Sequence, residues 1–98
     1  MILKFEWDDE KNSINKIKHG ISFENAKMVF FDPMAIEIYD IEHSLFEGRW
    51  MAVGLTGLDV LTVSFTERNN SIRIISARKA DRDEEEKYFY GYSTGNSI

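Results

Sequence analysis

The sequence of 98 residues lacks cysteine, contains one proline and has no long run of apolar residues. The absence of cysteine excludes a disulfide scaffold, a thiolate zinc site and thiol catalysis. A membrane-spanning helix needs about 20 consecutive apolar residues, so we expect no membrane contact. The first residues show no basic segment followed by an apolar one, which predicts a cytoplasmic protein without a secretory signal. At this length we expect a single domain over residues 1–98.

Basic residues are fewer than acidic ones, with 12 Lys+Arg against 17 Asp+Glu and a formal net charge of −5. An acidic total argues mildly against nucleic acid as a partner. The local distribution argues the other way, because four of the five arginines lie between Arg68 and Arg82 and no acidic residue lies between Arg68 and Lys79. Arginine is preferred where a planar fork grips phosphate or carboxylate. The basic segment is therefore either a phosphate site or ordinary surface charge.

Apolar residues recur at three- and four-residue spacing in the first third of the chain. This pattern predicts two short helices over residues 8–19 and 22–31. Asp8 and Ser22 are suitable N-caps. Gly20 suits the end of the first helix, because glycine readily adopts the left-handed conformation found there.

From residue 35 onward apolar and polar residues alternate, which is the period of a strand with one buried face. Strands are predicted near residues 35–41, 49–56, 60–67 and 71–77. Short connections such as Asn69-Asn70 predict an antiparallel arrangement. We therefore expect an α+β fold, with helices on one face of a four-stranded antiparallel sheet. Residues 2–6 are apolar enough to add an N-terminal edge strand, and this alternative stays open.

The sheet is followed by a third predicted helix over residues 81–90. Asp81 and Glu84 have the spacing of a capping box, in which each side chain binds a backbone N–H at the helix start. Residues 91–98 are small and polar, and we expect them to form a frayed tail.

The alternation assigns the strand residues to two faces. The core is predicted to contain Phe30, Ile38, Val53, Val63, Phe65 and Ile74. The opposite face is predicted to be an exposed trough with Trp50, Ala52, Gly54, Thr62, Ser64, Thr66, Arg68, Arg73, Ile75 and Ala77. Hydroxyl and guanidinium groups together suit phosphate, and an exposed Trp50 suits stacking on a base. The same pattern also fits an ordinary sheet, since Thr and Ser favour strands and Trp50 can cover an edge.

The chain has two histidines, His19 and His43. His19 follows Lys18 at the end of the first predicted helix, where a histidine commonly interacts with the helix dipole. His43 lies in a loop, a place favoured for function and equally common for solvated residues. The two are far apart and lack neighbours at ligand spacing, so we expect no catalytic metal. The sequence has no glycine-rich phosphate loop, HExxH or GxSxG motif, which excludes the corresponding NTPase and hydrolase classes.

Four segments of the chain closely resemble, in order and spacing, the signatures of the BrnT toxin family. They are Lys18-His19-Gly20-Ile21-Ser22-Phe23-Glu24-Asn25-Ala26, Val29-Phe30-Phe31-Asp32-Pro33, Asp40-Ile41-Glu42-His43-Ser44-Leu45-Phe46-Glu47-Gly48-Arg49 and Arg73-Ile74-Ile75-Ser76-Ala77-Arg78-Lys79-Ala80. Glu85 and Tyr88 are similar to the region that follows in the family. The resemblance spans residues 3–90, nearly the whole chain.

The resemblance implies a RelE-like fold and the ribonuclease toxin of a type II toxin–antitoxin pair. Such a toxin inhibits translation by cleaving RNA, either on the ribosome or free. Its partner would be a BrnA-like ribbon-helix-helix antitoxin, expected in a 2:2 complex, and operator DNA would be contacted only through that antitoxin. The alternative is a degenerate toxin that binds antitoxin and co-represses its operon without catalysis.

The resemblance also implies a metal-independent endoribonuclease without a cofactor, in which Lys, Arg and Tyr fill the catalytic roles more than a histidine pair does. The predicted catalytic residues are Arg68, Arg73, Arg78, Tyr88 and His19. The predicted substrate-binding residues are Lys18, Lys79, Arg49, His43 and Trp50. We expect the arginines to be exposed, so that their removal spares folding.

Overall fold

The computed structural model describes residues 3–91, so residues 92–98 of the predicted frayed tail lie outside the described range. The elements in chain order are β1 (Lys4–Glu6), α1 (Asp9–His19), α2 (Phe23–Ala26), a 3₁₀ segment (Lys27–Phe31), β2 (Ile36–Tyr39), a 3₁₀ turn (Ile41–His43), β3 (Trp50–Thr56), β4 (Asp59–Arg68), β5 (Ser71–Lys79), α3 (Arg82–Glu86) and a π-helical turn (Lys87–Gly91). This mixture confirms the predicted α+β class. Within the described range, no helix is long and apolar enough to span a bilayer.

Helices α1 and α2 both begin at the predicted N-caps, and α1 also ends at the predicted glycine. The Asp8 side chain accepts a hydrogen bond from the Lys11 N–H, and Gly20 ends α1 at a φ of 71°. The Ser22 side chain caps α2 by accepting from the Asn25 N–H. The predicted helix over 22–31 is wrong in its second half, because α2 tightens after one turn into the 3₁₀ segment.

Residues 3–91 form a sheet of five strands in the order β1-β5-β4-β3-β2. The pairs β2–β3, β3–β4 and β4–β5 are antiparallel, as predicted. The N-terminal edge strand is present and pairs with β5 in parallel, so a purely antiparallel sheet is wrong. This pairing brings the start of the chain beside its last strand, which no short-range sequence signal indicates.

One face of the sheet packs against α2 and the 3₁₀ segment, and we call it the helix-packed face. Its buried strand residues are Ala52, Leu61, Val63, Phe65, Ile74 and Ala77, which form one cluster with Ile21, Phe23, Ala26 and Val29. Phe30 is half-buried, and its ring packs on Phe65 with a centroid distance of 4.9 Å. The core positions predicted for Val63, Phe65 and Ile74 are confirmed.

The opposite face, which we call the arginine face, carries Val53, Thr62, Ser64, Thr66, Arg68, Arg73, Ser76 and Arg78. Part of it is covered by α3 and the π-helical turn, which we call the C-terminal segment, because Val53, Val60 and Tyr88 form a second buried cluster. Ile38 is half-buried against the same cluster. The prediction that all helices pack on one face is therefore wrong for the C-terminal segment.

The predicted faces of β3 are reversed in the structure. Trp50, Ala52 and Gly54 lie on the helix-packed face, and Val53 lies on the arginine face. The cause is a close approach of the 3₁₀ segment, since a Cβ at Gly54 would lie 2.8 Å from the Val29 Cγ1 atom. The small residues of β3 therefore face the core and the larger ones face outward, under the C-terminal segment.

Candidate active site on the arginine face

Three arginines share the arginine face because β5 contains one extra residue. The register pairs Thr62 with Arg78, Ser64 with Ser76, Phe65 with Ile74 and Thr66 with Arg73, so that Ile75 is left without a partner. This bulge shifts the alternation of β5 by one residue. Arg73 and Arg78 therefore extend from the same face, together with Arg68 of β4. The predicted exposed position of Ala77 is wrong for the same reason, because the bulge turns this residue into the core.

Arg78 is held by a buried carboxylate. Its Nη1 and Nη2 atoms lie 2.7 and 2.9 Å from the two carboxylate oxygens of Glu84, which is 8% exposed. The Arg78 guanidinium lowers the pKa of Glu84 to about 2, against the effect of burial and with help from the Asp81 N–H and the Thr62 hydroxyl. Removal of Arg78 would leave that charge buried and unpaired. The expectation that losing each arginine spares folding therefore does not hold for Arg78.

Arg68 lies at the other end of the face and binds Glu47. Its Nε and Nη2 atoms lie 2.6 and 2.8 Å from the two Glu47 oxygens. Hydrogen bonds from Arg68 lower the pKa of Glu47, and the charges of Arg68, Arg49 and Arg73 lower it further. Three guanidinium groups thus act on one exposed carboxylate, and the end of the face stays positively charged.

Arg73 is the least engaged of the three arginines. Its nearest carboxylate is that of Glu6, at an Nη1–Oε1 distance of 3.9 Å. This contact joins partly exposed side chains, and such pairs contribute about 0–1 kcal/mol to stability. Arg73 therefore has donors available for an added phosphate.

The hydroxyl groups of the face fall into two kinds. Thr62 donates to Glu84 at 2.9 Å and Thr66 donates to the Gly48 carbonyl at 2.6 Å, and both threonines are buried. The prediction that these two hydroxyls line an exposed trough is wrong. Ser64 and Ser76 are partly exposed neighbours in the register, and within the described residues their hydroxyls form no hydrogen bond.

Helix α1 covers the part of the β5 edge that β1 leaves unpaired. The Asn15 amide donates to the Ala77 carbonyl at 2.8 Å and accepts from the Ala77 N–H at 3.1 Å, as a neighbouring strand would. The same amide donates to the Ile21 carbonyl at 2.9 Å, and Asn15 is buried. The end of α1 is therefore fixed against β5.

This docking creates a cleft of about 170 Å³ between α1 and β5. It is lined by Lys11, Ile14, Asn15, Lys18, His19, Ile75 and Ser76. Two basic side chains and an imidazole therefore meet a serine hydroxyl of the arginine face, and no carboxylate of residues 3–91 lines the cleft. Lys18 and His19 are exposed, and across residues 3–91 their side chains form no hydrogen bond or ion pair. Electrostatically, this cleft attracts an anion.

Tyr88 lies apart from that cleft. It is buried against Val53 and Val60, and its hydroxyl donates to the Asp32 carboxylate at 2.5 Å. Burial and the bond to Asp32 raise the pKa of Tyr88 to about 12. Burial raises the pKa of Asp32, but hydrogen bonds from Tyr88, Leu55 and Met34 hold it below its usual value. The bond links the C-terminal segment to the end of the 3₁₀ segment.

The remaining predicted site residues are spread over the surface. His43 is exposed, and its Nδ1 atom lies 2.9 Å from Asp40. Arg49 precedes β3 in the same loop, and Lys79 is exposed at the end of β5. Trp50 is half-buried, packs on the main core and contacts Tyr39 at a ring distance of 5.0 Å. The exposed position predicted for Trp50 is therefore wrong.

The roles of two residues in the site could not be predicted from the spacing of residues in the sequence. Asn15 and Glu84 act over distances of 62 and 22 residues, through hydrogen bonds to Ala77 and Thr62. The only local signals of these two roles are a polar residue in an amphipathic helix, for Asn15, and a position in a capping box, for Glu84. Among residues 3–91, no group of three histidine or acidic side chains is placed to hold a metal ion.

Comparison with known proteins adds one finding to this geometry. Residues 7–84, which are 78 of the 98, match the family model described as "Ribonuclease toxin, BrnT, of type II toxin-antitoxin system". The matched range includes the three arginines and the cleft residues and ends before Tyr88. A search of curated proteins gives no match.

Proposed function

This chain belongs to the BrnT family of ribonuclease toxins of type II toxin–antitoxin systems, and from that premise we propose that it cleaves RNA at the α1–β5 cleft and so inhibits translation. One observation carries the proposal. Lys18 and His19 are more than fifty residues from Ser76 in sequence, yet they share a cleft beside the arginine face that no described carboxylate lines. RNA supplies the anion that this arrangement suits.

The proposed reaction is the attack of a 2′-hydroxyl on the adjacent phosphate. The new O2′–P bond forms while the P–O5′ bond breaks, which leaves a 2′,3′-cyclic phosphate and a 5′-hydroxyl. The His19 imidazole takes the 2′-hydroxyl proton, since histidine is suited to proton transfer near neutral pH. Arg73 stabilises the charge that develops on the phosphate oxygens, and the Lys18 ammonium group gives its proton to the leaving O5′. These groups need no metal ion.

The other predicted residues have supporting roles in this proposal. Ser76 offers a hydroxyl donor in the cleft, and Lys79 and Arg49 extend the positive surface along the RNA backbone. Arg78 and Arg68 stay fully charged, but their ion pairs with Glu84 and Glu47 offset part of the positive potential that they add to the arginine face. Tyr88 is a positioning residue that ties the C-terminal segment to Asp32. His43 lies in the loop that reaches Arg68 through Glu47.

Membership of a type II system implies a protein antitoxin as partner. We assign this role to a BrnA-like ribbon-helix-helix protein in a 2:2 complex, with operator DNA contacted only by the antitoxin. The net charge of −5 supports the assignment of DNA binding to the antitoxin, because it disfavours direct binding of the toxin to duplex DNA. The antitoxin neutralises the toxin in this complex, and the free toxin acts on mRNA in the cytoplasm as a single domain.

A second candidate function rests on the two bound arginines. Glu47 and Glu84 already occupy the forks of Arg68 and Arg78 as a phosphate would. A toxin whose arginines are neutralised in this way would bind antitoxin and co-repress the operon without cleaving RNA.

Purified protein and a labelled single-stranded RNA distinguish the two functions. The first predicts fragments that end in a 2′,3′-cyclic phosphate, formed equally well in EDTA. His19→Ala should lower the cleavage rate by about 10²–10⁴, the range for general acid–base groups. Lys16→Ala removes a lysine from the same helix outside the cleft and should leave the rate unchanged. An intact RNA after incubation with the parent would support the co-repressor function instead.

A further inference from the structure

The loop from Asp40 to Arg49 is held closed at its base by short hydrogen bonds. The Asp40 N–H donates to the Arg49 carbonyl at 2.9 Å. The Ser44 hydroxyl donates to the Asp40 carbonyl at 2.5 Å and accepts from the Arg49 N–H at 2.9 Å. Asp40 also accepts from the His43 N–H. The loop is therefore a fixed structure whose tip lies in solvent.

The tip presents apolar side chains to water. Phe46 is 96% exposed, more than any other aromatic residue that the structure describes, and Leu45 beside it is 81% exposed. A single exposed apolar residue is common on protein surfaces and indicates no function by itself. The charged groups that follow Phe46 in the chain make it a candidate for a binding role.

Phe46 is followed directly by the carboxylate that holds the arginine cluster. The Glu47 oxygens lie 2.6 and 2.8 Å from Arg68, and Arg49 and Arg73 act on the same carboxylate. Arg68 uses two of its nitrogen atoms on Glu47 and keeps Nη1 for another partner. An exposed aromatic ring therefore belongs to the residue that directly precedes Glu47, whose carboxylate binds Arg68 and is influenced by Arg49 and Arg73.

We propose that Phe46 stacks on a nucleobase of single-stranded RNA while Arg68 and Arg73 hold a neighbouring phosphate, so that the loop tip forms a base-binding subsite. This inference rests on the proposed function, since it assumes that RNA reaches the arginine face. An aromatic ring pairs with any base, and arginine binds the phosphates on either side. The hydrogen bonds at the base of the loop restrain the backbone that carries Phe46 and so lower the backbone entropy lost on binding.

The charge at the tip favours RNA over an apolar protein segment as the occupant. An apolar segment of the antitoxin would gain from Phe46 and Leu45 but would not need three arginines beside them. The subsite also predicts a preference for single strands, because the bases of a duplex are already stacked on one another.

The test uses a fluorescein-labelled 2′-O-methyl decauridylate, which lacks the attacking hydroxyl and so cannot be cleaved. Phe46→Ala should weaken its binding about tenfold, within the range for loss of one stacked base. Phe46→Trp should retain the affinity, and its added fluorescence should be quenched on binding. Leu58→Ala is the matched control, because Leu58 is 99% exposed at the β3–β4 turn, at the other end of the sheet.

A second set of oligonucleotides identifies the contact as stacking. One base at a time is removed to leave an abasic site, and at one position the parent should lose affinity while Phe46→Ala loses nothing further. Equal binding of parent and Phe46→Ala to every oligonucleotide would overturn the proposal. Normal RNA binding by Phe46→Ala together with weakened antitoxin binding would overturn it too and assign the tip to the antitoxin.

The two proposals fail separately. If the parent binds the oligonucleotide through Phe46 but cuts no unmodified RNA, the ribonuclease function fails and the subsite stands. If the parent cuts RNA and Phe46→Ala binds as the parent does, only the subsite fails. If the parent binds no RNA, both are overturned.

Discussion

Arg73 and Arg78 extend from the same face of β5 although they stand five positions apart in sequence. In a regular strand an odd separation places two side chains on opposite faces. The unpaired residue Ile75 removes this conflict by shifting the alternation once between them. The bulge thus converts a sequence with separated arginines into a face with a row of cations, beside the cleft that holds His19.

Arg73→Ala is the cleanest test of the proposed phosphate contact. Among residues 3–91 the one ion pair of Arg73 is the 3.9 Å contact to Glu6, so the variant should keep a melting temperature close to that of the parent. Its rate of RNA cleavage should fall by about 10²–10³, by analogy with the loss of one donor to a transition-state oxyanion. Thermal unfolding and a gel-based cleavage assay measure the two effects.

The matched control for this test is Arg82→Ala. Arg82 is exposed in α3, and its one ion pair within the described part of the chain is with Glu86, at 3.6 Å. Its loss should leave both cleavage and stability unchanged. Arg78→Ala is a poorer test, because it leaves Glu84 buried and unpaired and will lower stability as well as activity. Cleavage at the parental rate by Arg73→Ala would remove this arginine from the mechanism.

Local signals in the sequence sufficed to predict the helices and strands and most of the residues at which they begin and end. Asp8 and Gly20 bound α1 as predicted, because capping depends on side chains within one turn. Asn69 and Asn70 both have positive φ values, 50° and 68°, in the predicted hairpin. Such features are decided by neighbouring residues, and the sequence shows those directly.

The faces of the strands depend on contacts that alternation cannot show. In β3 both sets of residues are apolar, and the close approach of Val29 to Gly54 decides which set lies under the helices. In β5 the bulge at Ile75 changes the alternation in mid-strand. The predicted base-stacking residue Trp50 therefore lies against the core, and the exposed ring belongs to Phe46 of the loop. The roles of all site residues stay predictions.

Asn15→Ala should strongly destabilise the protein. The change leaves the N–H and carbonyl groups of Ala77 and the carbonyl of Ile21 without their partner. An unsatisfied buried group costs about 1–3 kcal/mol, so the free energy of unfolding should fall by about 3 kcal/mol or more. Urea denaturation measures this change. Ser13→Ala, on the exposed side of the same helix, should unfold like the parent, and equal stability of the two variants would contradict the edge-covering role of Asn15.

Tyr88→Phe separates a positioning role from an acid role. The variant keeps the buried ring but cannot donate to Asp32, so stability should fall by about 1 kcal/mol, the net value of one hydrogen bond. If Tyr88 only positions the C-terminal segment, cleavage should stay within a few-fold of the parent, as measured at saturating RNA. A fall of about 10²–10⁴ with unchanged stability would instead identify the hydroxyl as the proton donor.

Stability should fall in acid because of the pair formed by Glu84 and Arg78. Glu84 has a pKa of about 2 in the folded protein, against 4.5 for the free group. A lowered folded pKa stabilises the protein fully above the unfolded pKa, and this stabilisation is lost as the pH falls from 4.5 towards 2. A shift of this size corresponds to roughly 3 kcal/mol at pH 7, a large part of the total stability of a small domain.

Glu84→Gln cannot ionise and keeps an acceptor for Thr62. The difference in unfolding free energy between parent and variant, measured in urea, should therefore be large at pH 7 and small near pH 2. A difference that stays constant between these pH values would show that the charge of Glu84 does not hold Arg78 in place.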